Sequence, residues 1–317
     1  MKKIVAAALI LGLVLFLIPM GFRHENARED PETPAVLPES GKAVTILMDG
    51  ELREMDLNEY LWGVVAAEMP ASFELEALKA QAVAARTYSL NKAGQAANHP
   101  EADLCTDHTC CQAWIPREKA QANWGENAQT YTDKITRAVA ETNQEVALYE
   151  GALISALYHS SSADTTQDAV AVWGGNVPYL TSVPSPEGEE VPNYRTQVML
   201  SKEQVKQAVL AAYPGADLSG DPGSWFGQAR CNEGGTVSSI LLGGVTLTGG
   251  QVRTLFSLRS AAFTVDWDGE NFIFDVTGYG HGVGMSQYGA NAMAKEGKAF
   301  REILTWYYSG TEVDHLW

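Results

Sequence analysis

One acidic and two basic residues, Glu68, Lys79 and Arg86, have the types and spacing of a chemical site. Glu68 stands directly before a Met-Pro pair. Because proline cannot continue a helix, we expect this acid at the end of a short helix that begins near Asn58. Lys79 and Arg86 are two helical turns apart and share one face of the alanine-rich helix that follows. The alternative is a solvated helix end beside an ordinary polar face.

A second group of reactive side chains is crowded into one short segment, with His99, Cys105, Cys110 and Cys111 as the candidate metal ligands. Adjacent cysteines pair only with strain, so this crowding favours a metal over a disulfide framework. Zinc in closed structural sites takes four nitrogen or sulfur ligands. His108 lies in the same run as a competing ligand. The two-residue spacing of ordinary zinc motifs is absent, so free thiols or one disulfide remain the alternative.

A glycine-rich segment, GYGHGVGMSQYGA, places His281 between glycines and is followed by Gln287 and Tyr288. Glycines allow positive φ and a close approach of the backbone to a ligand. No lysine follows and no βαβ unit flanks the segment, so it is not a phosphate loop. The alternative is a glycine loop that only caps a helix.

Several segments resemble the SpoIID/LytB family of peptidoglycan-acting proteins. They are LNEYLWGVVAAE and EMPASFELEALKAQAVAARTY around Glu68, VWGGNVPYL at 172–180, LTGGQVRTLFSLRS at 247–260 and GYGHGVGMSQYGANAMA at 278–294. The resemblance covers about residues 44–313. It implies an enzyme whose substrate groove is built from these segments.

The resemblance implies specific roles for residues of this chain. Glu68 is expected to be the catalytic group. The expected substrate-binding residues are Lys79, Arg86, Ser160, His281, Gln287 and Tyr288. Some members carry a structural zinc site in this region, whose pattern maps onto His99, Cys105, Cys110 and Cys111. Cys110 stands where that pattern has histidine, which leaves the exact ligand set open.

The function that the resemblance implies is a lytic transglycosylase that converts glycan strands to 1,6-anhydro-muramyl products. In the sporulation branch the strands have been stripped of stem peptides by a partner amidase, during engulfment of the forespore and beside a membrane partner. In the other branch the protein activates a cell-wall amidase without being an enzyme. A zinc hydrolase is a weaker alternative, because four nitrogen and sulfur ligands leave no open metal position.

The net charge and the N-terminal segment indicate the class of partner and the location of the protein in the cell. A formal charge of −17 argues against a nucleic-acid partner, whereas a sugar polymer is compatible with it. Two lysines precede an apolar run at 4–22, which is long enough, at roughly 28 Å, to cross a bilayer core. We expect residues 1–22 to be a signal-anchor with the C-terminal domain outside the cytoplasm, with a cleaved signal peptide as the alternative. Residues 23–43, rich in proline and charge, predict an extended linker.

Residues 44–317 are predicted to form one α+β module, of one or two lobes, with mixed helices, mainly antiparallel strands and a substrate groove. No βαβ rhythm or internal repeat is present. The predicted helices are 58–68, 74–92, 133–143, 202–212, 250–257, 286–296 and 299–308, and Ser201 with Gln204 predicts a capping box at the start of the helix at 202–212. The predicted strands include a hairpin around Asp49-Gly50, strands at 145–149 and 152–158 around Glu150-Gly151, and short strands within 224–242 and 262–276, with a loop at 160–194.

Overall fold

The computed structural model describes residues 35–93, 95 and 98–316, and it confirms a mixed α+β fold with mainly antiparallel strands. The helices are α1 (Leu57–Glu68), α2 (Leu75–Lys92), α3 (Arg117–Trp124), α4 (Ala128–Glu141), α5 (Ala169–Trp173), α6 (Lys202–Ala212), α7 (Gly249–Phe256), α8 (Gln287–Lys295) and α9 (Phe300–Tyr307). The strands are β1 (Ala43–Met48), β2 (Glu51–Asp56), β3 (Leu104–Cys105), β4 (Glu145–Tyr149), β5 (Ala152–Leu153), β6 (Tyr158–His159), β7 (Arg195–Ser201), β8 (Arg230–Cys231), β9 (Val237–Leu242), β10 (Val245–Leu247), β11 (Phe263–Trp267), β12 (Asn271–Thr277), β13 (Met285–Ser286) and β14 (Glu312–His315).

Helix α2 runs through the middle of the larger hydrophobic core. Its small side chains let α1, α4, α8 and α9 pack closely around it. Five of its alanines are fully buried: Ala77, Ala80, Ala82, Ala84 and Ala85. Arg86 is fully buried on this helix, whereas Lys79 remains partly exposed. The position of the helix in the chain was predicted within one residue.

Helix α1 ends at Glu68 as predicted, since Met69 takes an extended conformation, with φ −125° and ψ 138°, before the proline. Its start differs from the prediction. Asp56, not Asn58, is the N-cap, and its carboxylate accepts a hydrogen bond of 2.8 Å from the Asn58 backbone N–H. The Asn58 side chain is instead buried, where it donates to the Pro38 carbonyl at 3.0 Å.

Two tight hairpins were predicted correctly from their turn residues. Asp49-Gly50 joins β1 to β2, and Glu150-Gly151 joins β4 to β5, with positive φ at all four positions. The predicted strand at 152–158 is interrupted, because β5 ends at Leu153 and β6 begins at Tyr158. Strand β6 then pairs in parallel with β13. This pairing brings the glycine-rich segment beside residues 158–160.

Residues 195–277 build a second, smaller apolar core from two antiparallel sheets, β11-β12-β7 and β10-β9-β8, and helices α6 and α7. Phe272 and Phe274 are among its buried side chains. Helix α6 begins with the predicted capping box, in which Ser201 and Gln204 satisfy each other's backbone N–H groups. A capping box of Thr248 and Gln251 also begins α7.

The predicted signal-anchor at 1–22 lies outside the described residues, as does the predicted linker as far as residue 34. Within the part of the chain that the structure describes, no helix combines the length and apolarity needed to cross a bilayer. The anchor remains a prediction. Among the described residues, the first strand is β1 at Ala43, where the start of the folded module was expected.

Candidate active-site cleft and metal centre

A cleft of about 550 Å³ opens beside the end of α1. Its walls come from α1, α2, the cysteine-rich loop, the residues around β6, helix α7 and the glycine-rich segment. The side chains lining it include Glu68, Tyr88, His108, Gln112, Tyr158, His159, Ser160, Arg253, Tyr279, His281 and Gln287. Among the described residues of its lining, Glu68 is the one carboxylate. The structure thus brings four predicted site residues, Glu68, Ser160, His281 and Gln287, into one cleft.

The carboxyl group of Glu68 is largely buried yet faces this cleft. Burial raises its pKa above the ordinary value of 4.5. Three groups oppose that shift: the Ala113 backbone N–H, the charge of His108 and the Tyr158 hydroxyl. The Ala113 N–H donates to Glu68 Oε1 at 2.7 Å. One oxygen is therefore fixed by the protein, and the raised pKa favours the protonated form that a general acid requires.

A hydrogen-bonded chain of side chains supports the wall next to Glu68. The Tyr158 hydroxyl donates to Gln112 Oε1 at 2.8 Å, and Gln112 Nε2 donates to Ser89 Oγ at 2.9 Å. Burial, first, and the charge of Glu68 hold the pKa of Tyr158 well above its usual range, so its phenol stays neutral. Gln112 and Ala113 directly follow Cys110-Cys111. The cysteine-rich loop is thus what positions both Glu68 and Tyr158.

Two neutral imidazoles line the cleft, His159 from β6 and His281 from the glycine-rich segment. Burial lowers the pKa of His159 to about 3 and that of His281 to about 4. His159 Nε2 lies 2.8 Å from Ser162 Oγ, and the Val283 N–H donates to His281 Nδ1 at 3.1 Å. The glycines are needed for packing: a Cβ at Gly280 would lie 2.7 Å from the His159 Cβ. Both interpretations of the segment therefore hold. Its glycines are needed for packing, and His281 lines the cleft.

Arg86 lies away from the cleft, fully buried beneath α1 and α4. Its Nη1 donates to the carbonyls of Thr142 at 2.7 Å and Glu145 at 3.1 Å, and its Nη2 donates to Asn58 Oδ1 at 3.2 Å. Burial lowers the pKa of Arg86 to about 10. The prediction that Arg86 contacts substrate does not fit this position, since both of its terminal nitrogens donate to groups inside the core.

Lys79 and Tyr288 also lie outside the lining of the cleft. The Lys79 ammonium is paired with Glu76 at 2.7 Å and with Glu141 at 2.6 Å. The Tyr288 ring packs edge-to-face on Phe73, with 4.9 Å between centroids. Both side chains tie α2 and α8 to their neighbours, so the substrate-binding roles predicted for them are not supported.

Several residues of the cleft were not predicted from the sequence as site residues, among them Gln112, Arg253 and Tyr279. Gln112 follows the cysteine pair directly, and the other two lie inside segments that carried the family resemblance. That resemblance was the signal that could have found Arg253 and Tyr279. Periodicity could not, because Arg253 reads as an ordinary position of a short helix.

The four predicted metal ligands come together in space. One atom each from His99, Cys105, Cys110 and Cys111 lies within 4.8 Å of the other three. The imidazole is oriented for ligation: His99 Nδ1 lies 3.1 Å from the Ala102 carbonyl and Nε2 lies 3.3 Å from Cys111 Sγ. A proton on Nδ1 leaves the Nε2 lone pair directed at the thiols.

This donor set fits a tetrahedral ion such as zinc, in which sulfur atoms lie about 3.8 Å apart. Burial raises the pKa of the Cys111 thiol to about 12, so a cation would be needed to bring it into the thiolate form. The four nitrogen and sulfur ligands would close the site, whose role would be to hold the loop together. His108, the alternative ligand, is not in the group; its side chain is 77% exposed and lines the cleft.

Comparison with known proteins agrees with the resemblance. Residues 49–149 match the SpoIID family, described as stage II sporulation protein. Stage II sporulation protein D of Bacillus subtilis (strain 168) is 36% identical over 327 aligned positions, which cover 98% of this chain and 94% of that protein. The same-named protein of Bacillus amyloliquefaciens is 35% identical over 92% of this chain and 85% of its own length. The amidase enhancer of Bacillus subtilis (strain 168) is 29% identical over 79% of this chain and 40% of its own length. The chain therefore belongs to the SpoIID family.

Proposed function

We propose that this protein is a membrane-anchored lytic transglycosylase that cleaves denuded peptidoglycan glycan strands to 1,6-anhydro-muramyl products during sporulation. The observation that carries the proposal is the cleft with Glu68 as the one carboxylate of its described lining. Hydrolysis of a glycosidic bond normally needs two carboxylates. A lytic transglycosylase needs one, because the substrate supplies its own nucleophile.

In the first step, protonated Glu68 donates its proton to the oxygen of the bond between C1 of a muramyl sugar and the next sugar. The C1–O bond breaks, and positive charge develops at C1. The sugar's own N-acetyl oxygen can stabilise that charge. The raised pKa of Glu68 supports this role, since it keeps the acid protonated to higher pH.

In the second step, the Glu68 carboxylate removes the proton from the C6 hydroxyl of the same muramyl sugar. The C6 oxygen attacks C1 and forms the 1,6-anhydro ring, and Glu68 returns to its protonated form. The neutral side chains around it, Ser160, His281 and Gln287, are suited to hydrogen bonding with sugar hydroxyl and amide groups.

The alternative function is activation of a cell-wall amidase without catalysis. The similarity to the amidase enhancer favours this alternative, in which Glu68 would be an interface or structural residue. The two functions are compatible with the same surroundings in the cell. We propose as partners a cell-wall amidase, which would produce the denuded strands, and a membrane protein of the engulfment machinery.

Mass spectrometry of the products from denuded glycan separates the two functions. The wild type should release anhydro-muramyl products, and Glu68→Gln should lose the activity by ~10²–10⁴-fold or more, because one group serves both steps. The matched control is Glu59→Gln, which removes an exposed carboxylate from the other end of the same helix and should leave the rate unchanged. Intact glycan together with faster amide cleavage by an added amidase would favour the activator.

A further inference from the structure

The cleft at Glu68 adjoins another concavity on the surface of the protein. A second concavity, of about 440 Å³, lies beside it, and both are lined by Arg253 and His281. Trp173 stands on the far side of this boundary, with its ring centroid 5.4 Å from that of His281 and 54% of its surface exposed. An exposed tryptophan offers a flat apolar face on which a sugar ring can stack. The two concavities thus adjoin at Arg253 and His281, and together they are called the groove.

The charge of this groove contrasts with that of the chain. The sequence holds 39 acidic and 22 basic residues. Among the described residues that line the second concavity none is acidic, and the first contributes Glu68 alone. A separate concavity of about 520 Å³ elsewhere has both Glu296 and Glu302 in its lining. The protein is strongly acidic, yet the described lining of this groove holds a single carboxylate. This distribution of charge indicates a ligand that carries negative charge.

Arg253 is the cation at the centre of the groove. Its Nε donates to the Arg259 carbonyl at 3.2 Å, which fixes the direction of the guanidinium. Its two terminal nitrogens donate to no residue that the structure describes, and no described carboxylate forms an ion pair with it. The neighbouring imidazoles of His159 and His281 are neutral near pH 7, so they neither compete for an anion nor replace this charge.

The chemistry of a glycan strand offers one anion that matches. Its hydroxyl and N-acetyl groups are neutral, and its muramyl sugars carry a lactyl group. While a stem peptide is attached, that group is a neutral amide. Once the peptide is removed it is a carboxylate, which a guanidinium binds through two parallel hydrogen bonds.

We propose that the glycan strand passes from Glu68 over Arg253 into the second concavity, and that Arg253 binds the free lactyl carboxylate of a muramyl sugar. This inference rests on the proposed substrate. It makes Arg253 the residue that distinguishes denuded strands from peptide-bearing ones, and it makes Trp173 a wall for a sugar further along the strand.

The test is a binding cycle in the inactive Glu68→Gln protein, measured by calorimetry. The two probes are denuded strands of defined length and the same strands with the lactyl carboxyl converted to a primary amide. The parent should bind the carboxylate form about 10- to 100-fold more tightly, as a charge-assisted hydrogen bond predicts. Arg253→Gln should bring this ratio close to one, and Arg253→Lys should retain part of it. The control Arg195→Gln removes an exposed cation outside the groove and should keep the full ratio.

The cycle can overturn the inference in several ways. A ratio near one in the parent, or one that Arg253→Gln leaves unchanged, removes Arg253 from recognition. An equal loss for both probes shows a structural effect only. Trp173→Ala should weaken binding of long strands more than short ones, whereas Trp306→Ala, an exposed tryptophan on another face, should not. A loss that is the same for all lengths would overturn the path into the second concavity.

The outcome for the enzyme is separate, because wild-type cleavage is measured in its own assay. Cleavage of denuded glycan with no dependence of binding on Arg253 would leave the proposed function and remove this inference. Binding that depends on Arg253 without any cleavage would remove the proposed enzymatic function and leave this inference.

Discussion

At the scale of single residues, the environment of Glu68 sets the pH range of the proposed reaction. Because burial raises its pKa above 4.5, the acid form persists to higher pH than in a solvated glutamate. We expect kcat/KM to fall as the pH rises through this raised pKa. A pH–rate profile on denuded glycan checks this, and a profile that stays flat well above the raised pKa would contradict an acid role for Glu68.

The same burial has a consequence for stability. An acid whose pKa is higher in the folded state contributes stability that is complete below the unfolded value and is lost as the pH rises through the folded value. Glu68→Gln carries no charge to bury. We therefore expect the variant to be at least as stable as the wild type at pH 7.5, with the difference disappearing near pH 4. Urea unfolding at both pH values measures it, and a large loss of stability at pH 7.5 would show that the ionised carboxylate is a structural group.

Arg86 has the opposite character, since it stabilises the fold from inside. Arg86→Ala would leave the carbonyls of Thr142 and Glu145 without their donor in the core. We expect a loss of roughly 3 kcal/mol or more in the free energy of unfolding. The ion pair of Lys79 with Glu141 contributes little to stability, because Glu141 is exposed to solvent. Lys79→Ala should therefore lower the free energy of unfolding by about 1 kcal/mol or less. Equal stability of the two variants, with glycan binding lost in Arg86→Ala, would restore the original prediction of a substrate contact.

At the scale of elements, local signals were sufficient where the structure is local. The turns at Asp49-Gly50 and Glu150-Gly151 and the capping box at Ser201 depend on neighbours a few residues away, and all three were predicted. The surroundings of α2 depend on packing with distant parts of the chain. The oxygen atoms that Arg86 contacts come from residues 28 to 59 positions away, and no pattern within the helix reveals them. The cleft is of the same kind, because Arg253 reaches it only through the tertiary fold.

The parallel pair β6–β13 depends on a glycine that no other residue can replace without strain. Gly284 has φ 74°, and a Cβ there would lie 2.1 Å from the Leu157 carbonyl oxygen. Gly284→Ala should therefore lower stability by more than about 1 kcal/mol and reduce activity, because the backbone must shift next to His281. Gly297 also has positive φ, at 89°, but nothing lies within 4 Å of its Cβ position. Gly297→Ala should cost only about 1 kcal/mol, and equal effects of the two variants would mean that the close approach is unimportant.

The cysteine-rich loop is the element through which a bound metal would affect the reaction. We expect Cys111→Ser and Cys105→Ser to lower metal content and melting temperature together, because a closed site contributes directly to folding free energy. Activity should fall as well, since the backbone N–H of Ala113 that holds Glu68 lies two residues after Cys111. His108→Ala, from the same loop, should keep the metal. Elemental analysis of the purified protein measures the metal content. Absence of zinc from the wild type would contradict the predicted metal site.

At the scale of the whole molecule, we propose that net charge and the N-terminal segment together determine where the protein is held. A charge of −17 repels the anionic surface of a membrane, and a surface patch is therefore a poor means of attachment. The proposed anchor is residues 1–22, where two lysines precede a long apolar run. We expect the full chain in the membrane fraction, with the region from Arg23 onward cut by protease added to protoplasts. A variant with Lys2, Lys3 and the apolar run deleted should appear in the soluble fraction, because a strongly acidic protein is repelled by anionic lipid. A soluble mature protein that begins after residue 22 would show a cleaved signal peptide instead, and the cleft would then reach glycan by diffusion.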